Sequence, residues 1–164
     1  MNTDFNYSSV ASLIQAAEKN NLPVSALVLS QQAQQIELDE KTVYEKMASN
    51  FQVMKECIEP GCDEHLKSTS GLTGGDAYKL RRYSEEGKSL TGSFLSGALY
   101  RALAVSELNA SMGRSVAAPT AGSCGILPAA LITMQVEKGC SDHDCVMALF
   151  TASFLLTLYF VERF

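Results

Sequence analysis

Apolar positions along the first part of this chain recur with helical spacing. Val10, Leu13, Ile14 and Ala17 fall at i, i+3, i+4 and i+7, one face of a short helix. Pro23 suits the first turn of a second helix through Ala26, Leu27 and Ala33. Asp39 is an N-cap for a longer one, where Val43, Met47, Phe51, Met54 and Ile58 form an apolar stripe and Lys46, Lys55 and Glu56 lie off it. Pro60-Gly61 is expected to end that helix. This half shows no alternating strand pattern.

Residues 68–75, Ser-Thr-Ser-Gly-Leu-Thr-Gly-Gly, read as a flexible loop of small residues, followed by Asp76 and a short polar stretch to Gly87. A helix is predicted over Leu90 to Met112, with Phe94, Ala98, Leu99, Ala102, Leu103 and Val105 on its apolar side. Pro119 and its neighbours exclude a helix. Pro128 suits the first turn of another that runs to Lys138 and stops at Gly139. Ser141 and Asp144 make a capping-box-like start for the last helix. No repeat is visible at periods of about 20–50 residues.

The last helix is apolar from Val146 to Val161, sixteen residues without a charge. A membrane span needs about 20 apolar residues, with ~17 as the lower limit. Thr151, Ser153 and Thr157 dilute the run further, so it reads as a buried core helix, with a small membrane-associated protein as the alternative.

Composition sharpens this picture. With 164 residues, the chain is expected to form one domain with a proper core. Apolar residues make up 46% and charged residues 19%, which excludes a disordered, collagenous or low-complexity chain. A net charge of −5 argues against a nucleic-acid partner, which wants a basic face. Residues 1–88 hold 22 charged side chains, whereas residues 89–161 hold seven. The second half therefore reads as built to lie inside something. From Thr91 to Gly125, 18 of 35 residues are Gly, Ala or Ser, which serves close helix packing or a ligand cradle equally well. The start, Met1 to Val10, is polar and has no basic n-region, so it does not read as a signal peptide. Five cysteines in such a chain point to the cytoplasm, where they serve as thiols, ligands or nucleophiles rather than staples.

The candidate chemistry centres on residues 119–125. Gly122 and Gly125 flank Ser123 and Cys124, and a helix follows almost at once. Free backbone N–H groups and a helix N-terminus suit an anion such as a carboxylate, and would lower the pKa of a nearby cysteine. A tight turn around a buried thiol is the equal alternative.

Two longer stretches carry a resemblance. Ser106-Glu107-Leu108-Asn109-Ala110-Ser111-Met112-Gly113-Arg114 is followed by Ala117-Ala118-Pro119-Thr120-Ala121-Gly122-Ser123-Cys124-Gly125-Ile126-Leu127-Pro128-Ala129. Together with Ser70-Gly71-Leu72-Thr73-Gly74-Gly75-Asp76-Ala77 upstream, they closely resemble the alpha chain of bacterial iron–sulfur-dependent L-serine dehydratase, in order and spacing, from about residue 5 to about residue 153.

The resemblance implies an all-α helical catalytic domain and a lyase that converts L-serine to pyruvate and ammonia. It implies a 4Fe-4S cluster held by three cysteines, with one iron open to substrate and Cys124 at the place of the first cluster cysteine. Such an iron would act as a Lewis acid toward the hydroxyl and carboxylate of serine, since hydroxide leaves poorly and the α-hydrogen is weakly acidic. Asn109, Thr120, Gly122 and Ser123 become candidates to hold the carboxylate or ammonium of serine. Gly74, Gly75 and Asp76 are further candidates, with a helix-capping loop as their alternative. The resemblance names no catalytic base in this chain and implies a separate beta chain with a regulatory domain.

The family pattern continues with a Gly/Ala/Ser-rich stretch containing two more cluster cysteines, which this chain lacks. Residues 155–164 depart from the family. The expectation is a single, partial alpha-chain domain over residues 1–164, truncated at its C-terminus. An inactive remnant that only binds a partner is the alternative function. The pairs Cys57/Cys62 and Cys140/Cys145 lack the spacing of known cluster motifs and read as free thiols. His143, between Asp142 and Asp144, is either part of a metal trio or a solvated helix start. His65 has no recognisable partner.

Overall fold

Ser9 and Ser12 cap each other's backbone N–H groups at 3.2 and 3.1 Å, and this reciprocal pair starts the first helix, α1 (Val10–Asn20). In the computed structural model, which describes residues 9–161, helices follow one another without a strand among the described residues. The all-α expectation holds. The first eight residues and the last three lie outside the described part, with most of the polar start and the end of the 155–164 tail.

The chain divides into two units. The first comprises α1, α2 (Val24–Gln35), the opening turns of α3 (Glu40–Glu56) and α8 (Asp142–Val161). Pro23 precedes α2, as its fixed φ suits. Asp39 caps α3: its carboxylate accepts from the Thr42 N–H at 2.9 Å and the Thr42 hydroxyl at 2.6 Å, and these bonds hold its pKa below the ordinary value. Leu13, Leu27, Val28, Val43, Val146, Leu149 and Phe150 supply much of the buried core. In α8 the buried residues Cys145, Val146, Leu149, Phe150 and Phe154 recur at helical spacing along one face, and α8 packs on α2. The helix is thus buried along one face. Among the described residues no helix is long and apolar enough to cross a membrane.

The second unit runs from Asn50 to Ser141 and is organised around α6 (Gly92–Ala110). Onto it pack α4 (Ile58–Gly61), α5 (Asp76–Glu85) and α7 (Ile126–Lys138). Small residues make this possible. Gly61 lies directly against the backbone carbonyl of Ala104, where no Cβ would fit. Ser96 is fully buried and shares a 2.7 Å hydrogen bond with Ser84 of α5. Arg101 is buried beneath the Tyr100 ring and donates to Thr133 of α7 at 3.2 Å.

Three local expectations change. Pro60 and Gly61 do not simply end a helix. α3 stops at Glu56, and these residues form the further turn α4, because proline in a first turn lacks only an N–H the helix does not use. The polar stretch after Asp76 is helical; its apolar periodicity is thin, and pairs such as Arg81–Glu85 at 2.9 Å were the available signal. In α6 the face expected to be apolar is only partly turned inward: Val105 is buried as expected, but Phe94, Leu99 and Leu103 are exposed, whereas Ser96, Gly97, Arg101, Ala104 and Glu107 are buried. Close approach of α4 and α7 selects small side chains over large ones on that side.

Candidate active site

The three stretches that carry the resemblance meet at the C-terminal end of α6. Glu107 is buried, and its carboxylate accepts backbone N–H bonds from Gly75 at 3.0 Å, Asp76 at 2.9 Å and Ala77 at 3.4 Å. A carboxylate at the start of α5 satisfies donors that a helix leaves unpaired and meets the positive end of its dipole. Gly75 can occupy that place with φ 83°, and Gly74, at φ 136°, lies against the Leu66 carbonyl, where a Cβ would not fit. The Asp76 side chain pairs with Lys79 at 2.9 Å. The N–H groups of Gly75 and Asp76 are therefore engaged in starting a helix. One turn on, Ala110 accepts from the Thr69 N–H at 2.9 Å, fixing the base of the 68–75 loop.

Asn109 holds the second loop. Its amide donates to the Ala121 carbonyl at 3.3 Å and its carbonyl accepts from the Ser115 hydroxyl at 3.0 Å. Between these points the chain forms a 3-10 turn over Ala121–Ser123. Thr120 and Ser123 cap it reciprocally: the Ser123 N–H donates to Thr120 Oγ1 at 3.3 Å, and the Thr120 N–H donates to Ser123 Oγ at 3.2 Å. Ser123 Oγ also donates to the Ala118 carbonyl at 3.1 Å. Ala121 and Gly122 open the turn and face solvent.

Cys124 follows and is fully buried. Burial pushes its thiol above the ordinary value of 9.0, with a hydrogen bond to Ser115 opposing. The expectation of a lowered thiol pKa is thereby corrected: desolvation outweighs any favourable donor, and the buried-thiol alternative describes the local geometry. Gly125 then lies against the Ala102 carbonyl and Ser106, which lets α7 begin in contact with α6. Cys57 stands near Cys124; its Sγ donates to the carbonyls of Val53 at 3.0 Å and Arg114 at 3.1 Å, and burial pushes its thiol up as well.

Glu107 and Ser115 are residues that sequence reasoning did not single out, and Cys57 was read only as a free thiol, not as a neighbour of Cys124. A lone carboxylate in a charge-poor helix was the signal for Glu107. Nothing local marked the other two, since tertiary contact across more than 50 positions brings Cys57 beside Arg114. Cys57, Cys62, Cys124 and Cys140 are free thiols. Cys62 is buried, with its thiol pushed up by burial against the opposing charge of Arg81. His143 meets Tyr44, with Nδ1 at 3.0 Å from the phenol oxygen, beside an open cavity of about 390 Å³ lined also by Leu29 and Met147. Among the described residues no three His, Cys, Asp or Glu side chains converge to hold a metal ion.

These burials predict an order of alkylation. Iodoacetamide on the folded chain at neutral pH should modify half-buried Cys140 first, with Cys57, Cys62 and Cys124 reacting only after unfolding. Peptide mass spectrometry across a urea series reads the order. Early modification of Cys124 would contradict its placement.

A helical protein whose loops are hung from one helix end around a buried thiol is what the geometry defines. Comparison with known proteins then places it. The family model of the serine dehydratase alpha chain matches residues 19–163, through the stretch where departure was expected. The chain is 34% identical over 146 residues to the probable L-serine dehydratase alpha chain of Bacillus subtilis, covering 89% of this chain and 48% of that protein. It is 31% identical over 141 residues to the L-serine dehydratase alpha chain of Peptoniphilus asaccharolyticus, covering 86% of this chain and 48% of that protein. With the L-serine dehydratase of Streptomyces coelicolor it shares 31% over 157 residues, 33% of that protein. No solved structure matches. The chain belongs to the serine dehydratase alpha chain family. It spans about half the length of the two alpha chains it matches.

Proposed function

We propose that this chain is the part of an L-serine dehydratase that orients the substrate and supplies one cluster thiolate, working in the cytoplasm with a separate beta chain. The 164 residues are read as one partial alpha-chain domain. The convergence of three family stretches on the end of α6, with Cys124 between Asn109's loop and α7, is the observation that supports this reading.

The residues present do not by themselves fit a four-iron cluster. Cys124 is a single buried thiol, and no set of three ligating side chains converges among the described residues. Further ligands would come from polypeptide outside this chain. What the chain's own residues supply is position. Thr120 and Ser123 fix the turn, Asn109 ties it to α6, and the exposed start of the turn at Ala121 and Gly122 offers N–H groups that a short helix leaves unpaired, suited to the serine carboxylate. Gly74, Gly75 and Asp76 act at one remove in this reading, by seating the neighbouring loop on Glu107.

The test is pyruvate release from L-serine under anaerobic conditions. The chain would be expressed with the uncovered half of a related alpha chain and with a beta chain. Activity is expected, and Cys124→Ser should lower it by roughly 100-fold, at or beyond the upper end of what losing a supporting residue of a metal site costs. Its melting temperature should stay close to that of the unmodified chain. No pyruvate in any combination would overturn the proposal.

A further inference from the structure

The outward face of α6 continues onto α7. The two helices run antiparallel: Gly125 at the head of α7 lies against Ala102 and Ser106, and Thr133, two turns on, lies near Gly97 and Arg101. Leu95, Leu99 and Leu103 recur every four residues along α6, and Ile126, Ala130 and Met134 do so along α7. In each helix this stripe follows the packed seam in the same rotational sense. Because the axes oppose, both stripes emerge on one side of the pair.

The side is apolar and open. Leu95 is 48% exposed, Leu99 44%, Ile126 66% and Met134 38%. It also lacks charge. The charged residues of α6, Arg101 and Glu107, are both buried, and α7 has none before Glu137. Interfaces between independently folded partners carry a polar rim, whereas a surface of this kind resembles a domain core cut in half. The matched alpha chains are about twice as long as the part this chain spans.

We propose that the α6–α7 face is the docking surface for the other half of the serine dehydratase alpha chain, which completes a helical core upon it. The proposal rests on the reading of the chain as a working part of that enzyme. It differs from that reading in needing neither iron nor serine.

The probe is the portion of the Bacillus subtilis alpha chain that lies outside the match, co-expressed with this chain carrying an affinity tag. A one-to-one complex is expected by light scattering. Leu99→Glu and Met134→Glu, one on each helix, should each weaken it at least tenfold. Both positions are exposed, and helical content by circular dichroism should be retained. Leu72→Glu, at an 87% exposed loop position away from the face, should have no effect. Absence of a complex with the unsubstituted chain would overturn the proposal, as would a complex indifferent to both glutamates. So would self-association of this chain that the same two substitutions dissolve, which would assign the face to a second copy. Complex formation without pyruvate release would remove the enzymatic reading and leave the docking surface standing.

Discussion

Glu107→Ala is expected to cost about 3 kcal/mol and to release the start of α5. The carboxylate is buried and is the shared acceptor of three consecutive N–H groups, from Gly75, Asp76 and Ala77. Each buried donor left unpaired costs ~1–3 kcal/mol, and opening of the loop to water would keep the sum near the lower bound. For a chain of this size that corresponds to a melting temperature roughly 6–12 °C lower. Glu107→Gln keeps one acceptor oxygen and should lose about half as much. Thermal melts and amide exchange at residues 75–77 would check this. Retention of slow exchange there in the alanine variant would show that the carboxylate is not what holds the loop.

Gly125→Ala should damage the packing of α7 on α6 with a single methyl. A Cβ there would run into the Ala102 carbonyl, with Ser106 Oγ at 2.9 Å. A backbone atom cannot swing aside as a side chain can, so the head of α7 must move off α6. Overpacking of this kind costs ~1–3 kcal/mol, and the value here should lie toward the top of that range. Ser106→Gly in the same chain would remove the hydroxyl but leave the carbonyl, so it should restore little. Denaturant midpoints measure the loss. Iodoacetamide labelling of Cys124 measures its local consequence, because the thiol borders the displaced residue and should become reactive before global unfolding. Full recovery by Ser106→Gly would mean that the hydroxyl, not the backbone, sets the fit.

Both predictions concern how the loops are hung on α6, and this is where sequence and structure part. Helix positions were legible wherever caps or apolar periodicity were strong. Asp39 before α3, Pro23 before α2 and Gly139 after α7 act locally, through bonds and φ angles that involve neighbours in sequence. α5 was not legible because charge pairs, rather than an apolar stripe, mark it.

The candidate site was legible as a list of residues, through the resemblance carried by residues 70–77 and 106–129, but not as an arrangement. By itself the sequence determined the all-helical class, several helix boundaries and the family. Tertiary structure alone decided which face of α6 turns inward, that Glu107 is the anion at the head of α5, and that the Cys124 thiol is held above its ordinary pKa rather than below it. The reason is physical. Caps and periodicity are local, whereas burial and the pairing of a charge depend on what the remote parts of the chain bring alongside. In α6 those parts are glycine and serine contacts that admit other backbones, so the large apolar side chains are left outside.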